Sequence, residues 1–177
     1  AAYAPVYEID TVSRDDRPGR TVRRDDDTPD VAAGQPVVYT RLAWTRFDGA
    51  LLPQLVYTVW FAERPPARAL DPLAGRLDGL VWRVTLDRDG APLLFDTIHP
   101  CGCYHQFVPT ARLVARPPEP GVEEGALVVQ ALPALETGAR VRLSIASGTQ
   151  YLQRVEGKVL DKDGQVVTNG GRVLCVT

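Results

Sequence analysis

Methionine is missing from all 177 residues, lysine occurs twice, histidine twice and asparagine once. A chain without methionine holds no translational start, so it reads as a processed product, a trimmed piece or a fragment. An export signal removed ahead of residue 1 fits that reading and favours an exported or periplasmic setting. No apolar run approaches the roughly 20 residues that cross a bilayer as a helix. The longest candidate, residues 50–62, is interrupted by Pro53, Gln54 and Thr58. An excess of one charge is also lacking: 20 basic against 22 acidic residues leave a net charge of -2. Such a balance supplies no broad basic footprint to release counterions, which argues against a nucleic-acid partner. Of the basic residues 18 are arginine, a uniform preference better explained by codon composition than by a binding surface.

Signatures of familiar chemistry are scarce as well. No nucleophile elbow, phosphate loop or His-Glu-x-x-His motif occurs, and Asn169-Gly170-Gly171 reads as a hairpin turn. Residues 14–30 concentrate charge, with Arg23 and Arg24 running into Asp25, Asp26 and Asp27. Those aspartates lack the alternating spacing and central glycine of a calcium loop, so the segment reads as a solvated loop.

What remains is alternation with period two. Val141, Leu143 and Ile145 alternate with Arg140, Arg142 and Ser144, one face to a core and one to water. Leu80, Trp82, Val84 and Leu86 alternate with Arg83, Thr85 and Asp87. The turn Arg88-Asp89-Gly90 then leads into residues 93–98, which predicts a hairpin. Residues 55–61 are almost continuously apolar and rich in β-formers, as a central strand covered on both faces would be, with residues 37–47 as its neighbour. Further strands are expected over residues 127–132 and 151–155, with a last hairpin across residues 159–176. Only Asp71-Pro72 resembles a helix start, and Gly75 and Gly79 confine that helix to a turn or two. The aromatics Trp44, Tyr57, Trp60, Phe61 and Trp82 fall inside these strands and read as core. The expected fold is all-β, an antiparallel β-sandwich or partly open barrel with at most one short helix. Residues 1–35 form an extended, partly irregular N-terminal segment and residues 36–177 a single β domain.

One cluster carries a chemical signal. Both histidines and two of the three cysteines lie in His99-Pro100-Cys101-Gly102-Cys103-Tyr104-His105. Two thiolates and two imidazoles match tetrahedral zinc in type and number, and copper or iron would also accept them. A regular strand sets alternate residues roughly 6.6 Å apart, too far for ligands of one ion. Pro100 and Gly102 allow the bend that closure would need. Asp96 is placed to orient a histidine as an outer carboxylate, and Tyr104 to pack beside the site or donate to a bound oxyanion. Two other readings stay open. Cys101 and Cys103 form a disulfide or inert packing in a structural or interaction domain, or they are the working pair of a thiol redox protein. The leading expectation is a metal-binding β domain using His99, Cys101, Cys103 and His105 around one transition-metal ion, zinc favoured. Its accessory or catalytic role is undefined.

Composition changes near the C-terminus. Residues 1–156 contain no lysine or asparagine, whereas residues 157–177 hold Lys158, Lys162 and Asn169. The stretch Asp163-Gly164-Gln165-Val166-Val167-Thr168-Asn169-Gly170-Gly171-Arg172-Val173-Leu174-Cys175-Val176-Thr177 resembles a segment from the C-terminal domain of phosphoribosylamine–glycine ligases, enzymes of purine synthesis with an ATP-grasp fold. It covers under a tenth of the chain and reaches none of that family's nucleotide-binding or catalytic regions. The resemblance therefore implies a separate origin for the terminal hairpin and no activity.

Overall fold

The computed structural model describes residues 3–118, 120–121, 125–135, 139–158 and 172–175, with the backbone alone for residues 158 and 172–175. It is all-β. The strands are β1 (Val6–Asp10), β2 (Gly19–Arg23), β3 (Pro29–Ala33), β4 (Tyr39–Phe47), β5 (Ala50–Arg64), β6 (Gly75–Leu86), β7 (Pro92–Ile98), β8 (Gln106–Pro109), β9 (Arg140–Ile145), β10 (Leu152–Lys158) and β11 (Arg172–Cys175). One sheet runs β10-β9-β1-β11. The other runs β3-β2-β5-β6-β7-β8, with β4 also paired to β5. They are not closed into a barrel, and all named pairs are antiparallel except β1 with β9.

Alternation decides which residues meet. On the inward face of the large sheet Tyr57, Val59 and Phe61 of β5 lie beside Leu80, Trp82 and Val84 of β6 and Phe95 of β7. Tyr7 and Ile9 of β1, with Leu143 and Ile145 of β9, close the same core from the small sheet. Each such side chain removed from water contributes about 1.5–3 kcal/mol, so this single layer is the main source of stability. Trp82 and Phe95 stack with centroids 5.5 Å apart.

Turn chemistry sets the hairpins. Asp48 and Gly49, both with positive φ (47° and 72°), form the two-residue link between β4 and β5. The Asp87 carboxylate accepts from the N–H groups of Asp89 and Ala91 and fixes the β6–β7 turn. The 15-residue β5 outruns its neighbour, because its pairing with β6 begins only at Gln54. Residues 44–47 and 50–53 therefore project past β6 as a two-stranded ribbon.

Two expectations change. Residues 127–132 make no strand; they touch the sheet through isolated bridges at Phe107–Val128 and Thr110–Leu132, and Val128 N–H turns back to the Ala126 carbonyl. Asp71 starts no helix. Its carboxylate accepts from Ala67 and Leu73 N–H in a single turn that ends where β6 begins. The N-terminal segment supplies three strands, and β1 sits inside the small sheet. The sequence motif of residues 163–177 lies outside the described residues except for β11, which pairs with β1. Most of the expected terminal hairpin is likewise outside them. Among the described residues no helix is long and apolar enough to cross a membrane.

Candidate functional site

The cluster of cysteine and histidine forms the connection between β7 and β8. Gly102 N–H donates to the His99 carbonyl and His99 N–H to the Cys103 carbonyl, so Pro100, Cys101 and Gly102 make a three-residue turn. Proline presets the first position and Gly102, at φ 83°, takes the left-handed one. Tyr104 is also left-handed, at φ 55°, and adds a second kink before β8. Non-glycine residues seldom hold this conformation unless their surroundings impose it.

Cys101 and Cys103 are joined to each other in a disulfide with Cα atoms 5.5 Å apart. Their sulfurs are therefore not available together as thiolate ligands. The histidines are separated too. In an uninterrupted strand residues 99, 101, 103 and 105 would share a face, but the turn folds the cluster back on itself. His99 continues the inward positions Phe95 and Thr97, whereas His105 follows Phe107 and Asp96 on the other face. Among the described residues no group of three or more His, Cys, Asp or Glu is placed to hold a metal ion. Among the described residues the geometry thus favours the disulfide over the zinc expectation for His99, Cys101, Cys103 and His105, because folding within the motif disperses its donors.

Each histidine has its own carboxylate. His99, buried, donates from Nδ1 to Asp78 Oδ1 at 3.2 Å, which leaves Nε2 as the unprotonated ring nitrogen in the neutral form. Asp78 also accepts from Gly79 N–H at 2.7 Å. Only acceptors surround one end of the fully buried Gln150 amide, so the nitrogen lies there and donates to Asp78 Oδ2 and the Gly148 carbonyl, each at 3.1 Å. His105 Nε2 lies 2.9 Å from Asp96 Oδ2 and 2.7 Å from Arg83 Nη2; one tautomer donates to the carboxylate, the other accepts from the guanidinium. Asp96, buried, also takes Arg83 Nε at 2.6 Å. Asp96 thus contacts both His105 and Arg83.

Above His99 the rings of Tyr104 and Tyr151 approach to 5.6 and 5.4 Å, edge-on, and lie 4.2 Å from each other. The Tyr151 hydroxyl beside it pushes the Tyr104 phenol above its ordinary value. Arg64 sits 4.8 Å over the Tyr151 ring and donates to its hydroxyl at 3.1 Å. Burial alone would lower the Arg64 pKa; Tyr151 and the Asp78 charge outweigh it and keep the guanidinium charged. Under these rings lies a cleft of about 240 Å³, with Leu80, Thr97 and His99 at its buried base and Tyr104, Gln106 and Tyr151 at its half-exposed rim. The Thr97 hydroxyl is buried with no hydrogen-bond partner among the described residues. Burying such a group without a partner costs about 1–3 kcal/mol.

Sequence reasoning singled out this segment and allowed it a bend at Pro100 and Gly102, but missed its return as β8 and the roles of Asp78, Gln150, Tyr151, Arg64 and Thr97. Asp78 had a usable signal, because it occupies the inward parity of Leu80, Trp82 and Val84, where an acid is out of place. Comparison with known proteins adds nothing to this geometry: no family model matches the chain, and no curated protein or solved structure is significantly similar to it.

Proposed function

We propose that this is a binding domain in which Cys101–Cys103 is a structural clip and the cleft under it receives a small, uncharged, hydroxyl-bearing molecule. The disulfide closed across the β7–β8 turn carries the reading. It consumes both thiols and fixes the turn from which Tyr104 reaches over His99. A ring of three residues stabilises the whole fold by only about 1.5 kcal/mol through chain entropy, so its service is local. Paired aromatic rims, the spare Thr97 hydroxyl and the second ring nitrogen of His99 suit a polar ring. The opposite charges of Arg64 and Asp78 offset each other, which favours an uncharged one.

Protein denatured without reductant is expected to show Cys101 and Cys103 in one linked peptide, with a reduction potential below about -300 mV. A panel of neutral monosaccharides is expected to shift the NMR signals of Tyr104, Tyr151 and Thr97. Free thiols at both positions would remove the clip, and an unresponsive cleft would remove the binding role. The exposure of Cys101 favours a second reading, a thiol redox protein, and a potential as high as about -200 mV would select it.

A further inference from the structure

The projecting ribbon of β4 and β5 lies at the other end of the large sheet from the disulfide turn, since β5 meets β6 at Gln54–Thr85 near one end and at Trp60–Gly79 near the other. Cross-strand pairing places Leu42 beside Leu55, Trp44 beside Pro53 and Arg46 beside Leu51, all on the face that farther along the strand forms the core. The small sheet does not cover this part: Leu42, Trp44 and Leu51 are 58%, 59% and 58% exposed. Among the described residues β4 pairs with β5 alone, so its other edge carries unpaired backbone donors and acceptors. Nine residues without proline or a bulge make that edge a template for another strand.

Charge identifies what fits there. β4 holds Arg41 and Arg46 and no acidic residue, and among the described residues neither arginine has an ion pair or side-chain hydrogen bond. Their neighbours across the ladder, Val56 and Leu51, are apolar. Two copies of β4 laid edge to edge would put two guanidinium groups on each face of the joined ladder with no counter-charge from either strand, which disfavours self-pairing. We infer that β4 is a docking edge for an extended acidic segment of another protein, added as one more strand of the large sheet. The register specifies its pattern: acidic side chains opposite Arg41 and Arg46, apolar ones opposite Leu42 and Trp44. For a strand added parallel to β4 the order is acid, apolar, any, apolar, any, acid. Main-chain bonds supply affinity and the alternating side chains supply selection.

The test uses the full chain and a peptide centred on Glu-Val-Thr-Val-Thr-Glu, with a control in which glutamine replaces both glutamates. Calorimetry is expected to show the acidic peptide binding more tightly than the control by roughly tenfold, the sum of two cross-strand charge pairs. Salt should erode the difference, and amide shifts should map to β4. Arg41→Glu with Arg46→Glu should invert the preference while the melting curve stays in place. Equal binding of the two peptides, or shifts confined to the disulfide end, would overturn the inference. So would a concentration-dependent dimer abolished by the same double substitution, since the edge would then belong to a second copy. The monosaccharide and thiol measurements read the opposite end of the sheet, so either proposal can fail alone.

Discussion

The two ends of the large sheet solve opposite problems. At the disulfide end polar groups are buried and nearly all partnered: Asp78 holds His99, Gly79 and Gln150, and Tyr151 holds Arg64. At the β4–β5 end apolar groups are exposed and two arginines stand unpartnered among the described residues. The first end is finished by the chain itself. The second leaves Leu42, Trp44 and Leu51 exposed. Polar order inside and apolar disorder of purpose outside are the two departures from ordinary burial that carry information about function.

The largest effect expected from breaking this contrast lies at Asp16, which fastens the loop carrying Gln150 and Tyr151. Its carboxylate accepts from Val12 and Ser13 N–H at 2.9 and 2.8 Å, and from the Gly148 N–H and Ser147 hydroxyl at 2.6 and 2.9 Å. Asp16→Ala strands four part-buried donors at once and is expected to cost about 3 kcal/mol in chemical denaturation. Burial pushes the Asp16 pKa up, but the N–H groups of Gly148, Ser13 and Val12 and the Ser147 hydroxyl outweigh it and hold the value below 3.8. The ionised form is thus the one that stabilises the fold. That contribution is complete above the ordinary value and is lost as pH falls from it through the lower folded one. Asp16→Asn, neutral throughout, should therefore flatten this part of the acid limb; an unchanged acid limb would mean that other carboxylates govern it.

How much of this contrast the sequence disclosed depends on distance along the chain. β6, β7 and β9 were legible because period-two alternation is local, and the β6–β7 turn because Asp87 and Gly90 supply its chemistry within four residues. Concentrated Cys and His marked the segment but not the hairpin it forms with β8. Their pairing was hidden, because one turn inside the motif reverses the face on which His105 lies. Asp78, Gln150 and Arg64 come from three separate segments, and no local pattern joins them to His99. Trp44 read as core for the opposite reason: its alternation is that of a buried strand, but β5 outruns β6 and the small sheet does not reach it.

A smaller effect separates the clip from the core. Cys101→Ser with Cys103→Ser is expected to lower stability by no more than about 1.5 kcal/mol, the entropy of so short a ring. The same pair should disturb the NMR signals of Tyr104 and Tyr151 while leaving Trp82 and Phe95 as they were, because the bond shapes a turn and not the sandwich. Global unfolding on reduction would show that the disulfide holds the two sheets and would erase the distinction between a local clip and a staple.

The smallest effect is expected at the largest exposed side chain. Trp44→Ser deletes an indole that is 59% exposed, opposite Pro53 on a ribbon that outruns β6. Surface substitutions away from caps, cavities and buried networks usually stay within about 0.5 kcal/mol, so the melting temperature should hardly move. Loss of an equally large core ring such as Trp82 would cost about 3–5 kcal/mol. If Trp44→Ser proved comparably destabilising in the isolated protein, the indole would already be covered by this chain or by a second copy, and the projecting end would be as complete as the disulfide end. An unchanged melt combined with lost peptide binding would give the side chain the opposite assignment: dispensable for folding, and retained for contact with a partner.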